Sequence, residues 1–305
     1  MIMKKENKIF SSKVLLFGEY ILLCGAQALS IPFDKYSGYF TFSNSQTESN
    51  KSLKKFLDYL KNINDKLHLN LSDFEKDILK GLTFKSNIPH GYGLGSSGSL
   101  SAAVYDKYAL NKIENSTASK KDINFLKNIF GLMESFFHGK SSGLDPLISY
   151  LKEPILVQDK NNINKVILPV VDNTSKAAVF LLDYGKSGDT GPLVKDFMER
   201  CNNKLFKEKI INEMIPVSNR CIELFIKGKL EETIDCVKEL SQNTVSIFNK
   251  MVPEGLLKHW KQGLETGDYY LKLCGSGGGG MMLGFTRNFT KAQEKLKPFQ
   301  VHKIF

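Results

Sequence analysis

The chain has 305 residues, 42% of them hydrophobic, enough for a substantial buried core in one large or two modest domains. Its longest apolar runs, Val14-Leu15-Leu16-Phe17 and Ala177-Ala178-Val179-Phe180-Leu181-Leu182, are strand length and too short to cross a bilayer, and Met1-Ile2-Met3-Lys4-Lys5-Glu6 leads into no signal-peptide core; a cytoplasmic protein with no membrane partner is expected. The net charge of +10 comes from lysines interleaved with acids rather than gathered in a stripe with aromatics, which argues against a nucleic-acid partner, and the five cysteines form no C-x-x-C pair that would suggest zinc.

In chain order, residues 13–17 read as a buried strand ending at Gly18-Glu19-Tyr20, followed by the apolar piece Ile21-Leu22-Leu23. Alternation predicts a strand at residues 39–42, a polar loop over 43–52, a helix over 53–60 and a strand around 82–84. A glycine-serine loop then opens a helix from Ser99 to about Leu110, and residues 122–137 carry a helical apolar stripe that stops at Gly139. Asp145-Pro146 predicts a helix start with Asp145 as N-cap, since Asp caps well and proline suits the first turn. A strand at 155–157, a polar turn at 159–164 and a strand at 177–183 follow, with a domain boundary near residue 170. Beyond it come helices over about 191–200, 204–226 and 230–250, then strands at 271–273 and 281–285. Between those two strands stands Gly275-Ser276-Gly277-Gly278-Gly279-Gly280, a run so costly in folding entropy that something must approach its backbone closely. The pattern is α+β.

The segment Pro89-His90-Gly91-Tyr92-Gly93-Leu94-Gly95-Ser96-Ser97-Gly98-Ser99 has the chemistry of an anion cradle. Nearly bare backbone N–H groups can approach a phosphate, the helix that follows adds unpaired donors and its positive dipole end, and Ser96 and Ser97 can reach phosphate oxygen or magnesium. Gly93, Gly95 and Gly98 also match a dinucleotide fingerprint, but the region 115–121 offers no second strand ending in an acid. The Walker pattern fails because no lysine follows Gly98. Glu134 and His138, four apart, share a helix face; one Glu and one His make half a zinc site, whereas magnesium takes carboxylate oxygen together with substrate phosphates. With Lys13 as cation and Asp145 as an acid near an acceptor hydroxyl, the four parts of a phosphoryl-transfer site are present.

Three motifs in order resemble those of the GHMP kinase superfamily: Lys13-Val14-Leu15-Leu16-Phe17-Gly18-Glu19-Tyr20, the Pro89 to Ser99 segment, and Leu273-Cys274-Gly275-Ser276-Gly277-Gly278-Gly279-Gly280. Within it, Glu134, His138-Gly139 and Ser142-Gly143-Leu144-Asp145 are most similar to the mevalonate kinases. The resemblance implies an N-terminal α/β domain over 1–170 and a C-terminal ferredoxin-like α+β domain over 171–305, with ATP and Mg²⁺ as cofactors and mevalonate as substrate. It further implies Asp145 as general base, Lys13 as the cation that lowers the hydroxyl's pKa, and Ser97 with Glu134 as the metal site. Pro89, Gly91, Gly93, Leu94, Gly95, Ser96, Ser97, Gly98 and Ser99 would bind the nucleotide. Glu19, Tyr20, His138, Ser142, Gly143, Thr190, Gly277 and Gly278 would face substrate. Tyr20 stands where mevalonate kinases usually have histidine, and Ser-Ser-Gly-Ser replaces Ser-Ser-Ala-Ala; both variants also occur in bacterial phosphomevalonate kinases, so the alternative is a phosphomevalonate kinase or another small-molecule kinase of the superfamily. A homodimer is expected by resemblance only, and the non-enzyme alternative is a nucleotide-binding sensor without turnover.

Overall fold

A computed structural model describes residues 7–44, 47–169, 174–188 and 190–305, with only the backbone of Thr190. In chain order the elements are β1 (Phe10–Phe17), a 3₁₀ turn (Ile21–Cys24), β2 (Ala28–Phe42), α1 (Glu48–Lys61), α2 (Asn64–Leu67), α3 (Leu71–Leu79), β3 (Leu82–Ser86), α4 (Ser96–Tyr108), α5 (Lys120–His138), α6 (Leu144–Leu151), β4 (Ile155–Val157) and β5 (Ile163–Lys165). They continue with β6 (Ala178–Asp183), α7 (Thr190–Arg200), α8 (Lys204–Lys209), a π-helical segment (Ile210–Met214), α9 (Ile215–Ile226), α10 (Leu230–Ile247), a 3₁₀ turn (Asn249–Met251), α11 (Glu254–Thr266), β7 (Tyr270–Leu273), β8 (Met281–Thr286), α12 (Phe289–Lys295) and β9 (Gln300–Lys303).

Local chemistry sets several boundaries. Thr47 accepts the N–H of Asn50 and starts α1 inside the stretch expected to be loop. Ser119 and Asp122 form a capping box that opens α5, and Gly139, at φ 72°, closes it. The helix bearing Asp145 begins two residues earlier than expected: left-handed Gly143 is the cap, and Asp145 lies in the first turn of α6 without capping it. The expected single helix over 204–226 is interrupted, because Pro216 has no N–H for the Asn212 carbonyl and the chain widens into the π segment just before it.

Two compact units form. The first comprises the described residues through Lys13, Ile31–Pro89 and Gly95–Glu153. Here β2 pairs antiparallel with β3, from Gly38 opposite Ser86 to Phe42 opposite Leu82. The apolar stripe of α5 buries Leu126, Ile129, Phe130 and Met133; Phe130 and Tyr150 meet Tyr105 edge-on at 5.2 Å each. Each such buried side chain contributes about 1.5–3 kcal/mol.

The second unit comprises Val14–Ser30, His90–Leu94 and the described residues of Pro154–Phe305. The start of β2 pairs with β4, and β4 with β5. An antiparallel sheet runs in the order β7-β8-β6-β9, with β6 paired to β8 from Ala178 opposite Thr286 to Asp183 opposite Met281. Phe180 lies across Gly284, and buried Trp260 donates its indole N–H to Ser241 at 2.7 Å.

Gly139 and Gly143 have nearly the same φ, 72° and 74°, but very different surroundings. A Cβ on Gly139 meets nothing within 4 Å, whereas one on Gly143 would stand 2.0 Å from the Lys127 carbonyl. Gly139→Ala is therefore expected to cost about 1–3 kcal/mol, the backbone penalty of its positive φ alone, and Gly143→Ala several kcal/mol, including displacement of the α5–α6 turn. Thermal unfolding of the two variants side by side tests this; equal losses would refute the close approach.

Candidate active site

The glycine-serine segment divides between the units. Gly95 to Ser99 lies in the first unit, where Gly95 is the left-handed cap of α4 and no side chain caps the helix. The first-turn N–H groups and the half-buried Ser96 and Ser97 therefore stand at an uncapped positive helix end. Ser99 is turned away from that end: it is buried and donates to the Phe10 carbonyl at 2.9 Å, tying α4 to β1.

Lys13, near the middle of β1, is 6% exposed, and its ammonium lies 3.1 Å from Oδ1 of Asp145. Both lie against the glycine loop, since a Cβ on Gly95 would stand 3.0 Å from Lys13 Cγ and 3.4 Å from Asp145 Cβ. A Cβ on Gly98 would come within 2.7 Å of the Pro146 nitrogen, so the starts of α4 and α6 touch backbone to backbone.

Across from them, Glu134 and His138 both reach Ser97 from one face of α5: Ser97 Oγ donates to Glu134 Oε1 at 3.0 Å and lies 2.9 Å from His138 Nε2. Glu134 is 3% exposed, and its other oxygen accepts from Ser141 Oγ. Burial, then the Asp145 carboxylate, pushes the Glu134 carboxyl up to about 7, against the opposing pull of the Ser141 and Ser97 hydroxyls and Lys13. Ser142 is exposed and Gly143 buried in the turn behind. Among the described residues, no three His, Cys, Asp or Glu side chains gather to hold a metal.

The remaining residues singled out from the sequence lie elsewhere. Pro89 precedes the loop, half-buried, in the first unit. In the second unit Leu94 is buried, and Gly91 and Gly93 take positive φ where a Cβ would stand 2.9 Å from Ser187 Cβ and 2.8 Å from the Cys274 carbonyl respectively. Glu19 is buried in an ion pair with Lys272, at 2.5 Å. Tyr20 donates its phenol to the Ser276 carbonyl and packs on Phe197 and Phe248; burial raises its pKa. Gly277 and Gly278 meet the protein's own chain, for Gly278 donates to the Met251 carbonyl at 2.6 Å and a Cβ on Gly277 would stand 2.4 Å from that oxygen. The Thr190 side chain lies outside the described residues.

Sequence reasoning passed over Lys272 and Ser141. A lysine between leucines in a strand-like run was the signal for the first, because such a charge needs a buried partner. Ser141 gave no signal beyond standing beside Ser142.

Because folding raises the Glu134 pKa from about 4.5 to about 7, the folded chain binds that proton more tightly, and its contribution to stability is present below pH 4.5 and lost as pH rises through 7. Glu134→Gln, measured by urea unfolding without divalent cations, should match the parent near pH 4.5 and exceed it at pH 8 by on the order of 3 kcal/mol. A constant offset at all pH values would contradict the raised pKa. Lys272→Met should cost about 3–5 kcal/mol by removing the ammonium paired with buried Glu19, and adding Glu19→Gln should restore part of it; no recovery in the double variant would mean that the two side chains are not coupled.

Residues 53–153 match the family model described as GHMP kinases N terminal domain. No curated protein sequence matches the chain. Among solved structures, the L. major mevalonate kinase in complex with R-mevalonate is similar at TM-score 0.64 and 18% identity, with 97% of this chain and 91% of that one covered. Streptococcus pneumoniae phosphomevalonate kinase, in complex with phosphomevalonate and AMPPNP, is similar at TM-score 0.67 and 15% identity over 98% and 99%. Lactococcus lactis galactokinase complexed with galactose gives 0.65 and 13% over 98% and 93%. Residues 53–153 thus resemble a GHMP kinase N-terminal domain, and the chain as a whole shares the α+β fold of these solved kinases.

Proposed function

We propose that the protein is an ATP-dependent kinase that phosphorylates the 5-hydroxyl of mevalonate, giving 5-phosphomevalonate and ADP. The observation that carries the reading is the convergence, in one compact unit, of Lys13, Asp145, the uncapped start of α4 and Ser97 with Glu134. The choice of mevalonate rests on the Glu134, His138-Gly139 and Ser142-Gly143-Leu144-Asp145 spacing, and is supported by the likeness to a mevalonate kinase that holds R-mevalonate.

In this reading Asp145 accepts the proton of the acceptor hydroxyl as its oxygen attacks the terminal phosphorus of ATP. Lys13, 3.1 Å away, fixes the orientation of that carboxylate and stabilises negative charge on the attacking oxygen and the transferring group. The N–H groups of Ser96, Ser97 and Gly98 receive phosphate oxygens. Ser97 and Glu134 would hold Mg²⁺, and the donor set fits: one hydroxyl and one carboxylate, both hard oxygens, in a buried place where the carboxylate lacks a full countercharge. When bound, the ion neutralises charge on the phosphate oxygens.

Asp145→Asn keeps the volume and removes the base. Its kcat for ADP release with mevalonate should fall 10²-fold or more while KM changes little; a loss under tenfold would reject the assigned role. The same coupled assay with phosphomevalonate and with galactose tests the acceptor. Preference for phosphomevalonate would replace the acceptor and keep the kinase, and no turnover with any of the three would reject mevalonate and leave another small-molecule acceptor or the nucleotide-binding sensor.

A further inference from the structure

We propose that Ser141 is a positioning residue for Glu134, a hydroxyl that holds the carboxylate so that Oε1 is presented to the metal beside Ser97; this rests on the reading of Glu134 as a metal ligand. The turn that carries Ser141 is fixed from three sides. After Gly139 ends α5 the chain folds back along that helix, and Gly143 settles onto it so closely that a Cβ there would stand 2.0 Å from the Lys127 carbonyl and 2.5 Å from the Gly131 nitrogen. The Ser141 N–H donates to Ser135 Oγ at 3.3 Å, and Ser135 in turn donates to the Gly131 carbonyl at 2.7 Å. Ser141 is therefore set beside Glu134 by backbone packing.

Proton accounting gives Ser141 its direction. A serine hydroxyl has one proton and two lone pairs. Ser141 Oγ accepts the Gly143 N–H at 3.1 Å and donates its single proton to Glu134 Oε2. Ser97 faces a choice, since its one hydroxyl lies within 3.0 Å of both Glu134 Oε1 and His138 Nε2. It can release Oε1 to a cation while Ser141 keeps hold of Oε2. The next residue, Ser142, is exposed and its hydroxyl accepts from Leu144 N–H at 3.4 Å, so the two adjacent serines do different work. Through Gly143, the cap of α6, Ser141 also links the orientation of Glu134 to the helix that carries Asp145.

The test is Mn²⁺ binding by the full chain in the presence of AMPPNP, read from the electron paramagnetic resonance of free Mn²⁺, with thermal unfolding recorded for each variant. Ser141→Ala should weaken Mn²⁺ binding about 10- to 100-fold, the usual effect of removing a partner of a metal ligand, and Ser141→Thr, which keeps the hydroxyl, should stay within about threefold of the parent. Should Ser141→Ala not remain folded, Ser141→Cys, close in volume and a weak donor, carries the same expectation of at least tenfold weakening. Unchanged affinity in the folded Ala or Cys variant, with Glu134→Gln strongly weakened, overturns the positioning role and leaves Glu134 as ligand. Unchanged affinity in Glu134→Gln itself overturns the metal reading, and the role of Ser141 with it.

Discussion

Two helix starts meet without side chains between them. A Cβ at residue 98 would stand 2.7 Å from the Pro146 nitrogen and 2.9 Å from Asp145 Cβ, a distance that real Cβ atoms essentially never show. Only glycine lets α4 begin there. That contact brings the uncapped N–H groups of α4, the Asp145 carboxylate and, through the ion pair, Lys13 of β1 into one neighbourhood. A larger residue at 98 would separate the start of α4 from Asp145 and Lys13. Gly95 repeats the logic from the other side, with Lys13 Cγ at 3.0 Å.

The electrostatics of the site follow from how few cations it contains. Lys13 is matched to Asp145, which leaves Glu134 buried on two hydroxyl donors with the Asp145 carboxylate nearby. Two hydrogen bonds and a shared lysine pull its pKa down; burial and the like charge push it up, and they win. The buried carboxyl therefore holds its proton more tightly than an exposed one does, a perturbation of the kind that marks candidate functional sites.

Periodicity made the later part of α1, the stripe of α5 and strands such as Ala178–Asp183 legible, whereas α2, α3, the first part of β2 and β5, which begins inside the turn expected over 159–164, were not. Failures came where tertiary contact overrode a local rule. Asp145-Pro146 satisfies the capping preference, but the approach of Gly143 to α5 moves the start of α6 upstream and puts Asp145 into the first turn, where its charge still favours the helix dipole. The helix α11 escaped notice because Gly255 and Gly263 interrupt its pattern; Gly263 is there for Tyr269, whose ring would lie 2.5 Å from a Cβ. The strand β9 is short, partly exposed and joined to the sheet by its distant pairing with β6. At the site, the residue types and their convergence were legible, and the hydroxyl partners of Glu134 were not, since hydrogen bonds across a turn leave no periodic trace.

The four-glycine run shows how a correct physical inference can leave its object open. Close approach to that backbone was required, and in the second unit the approaching group is the protein's own chain. A Cβ on Gly279 would stand 2.6 Å from the Lys186 carbonyl, and one on Gly280 2.6 Å from Tyr92 Cα. Gly278 and Gly280 donate to the Met251 and Lys186 carbonyls at 2.6 Å. A ligand and a folded loop demand the same missing side chains, so composition does not separate them. Tyr20 belongs to the same packing. Its φ of 62° is strained for a residue with a Cβ, at about 1–3 kcal/mol, and the phenol bond to Ser276 together with Phe197 and Phe248 offsets that strain. The Tyr20 hydroxyl of the first motif is thereby committed to the Ser276 carbonyl of the third.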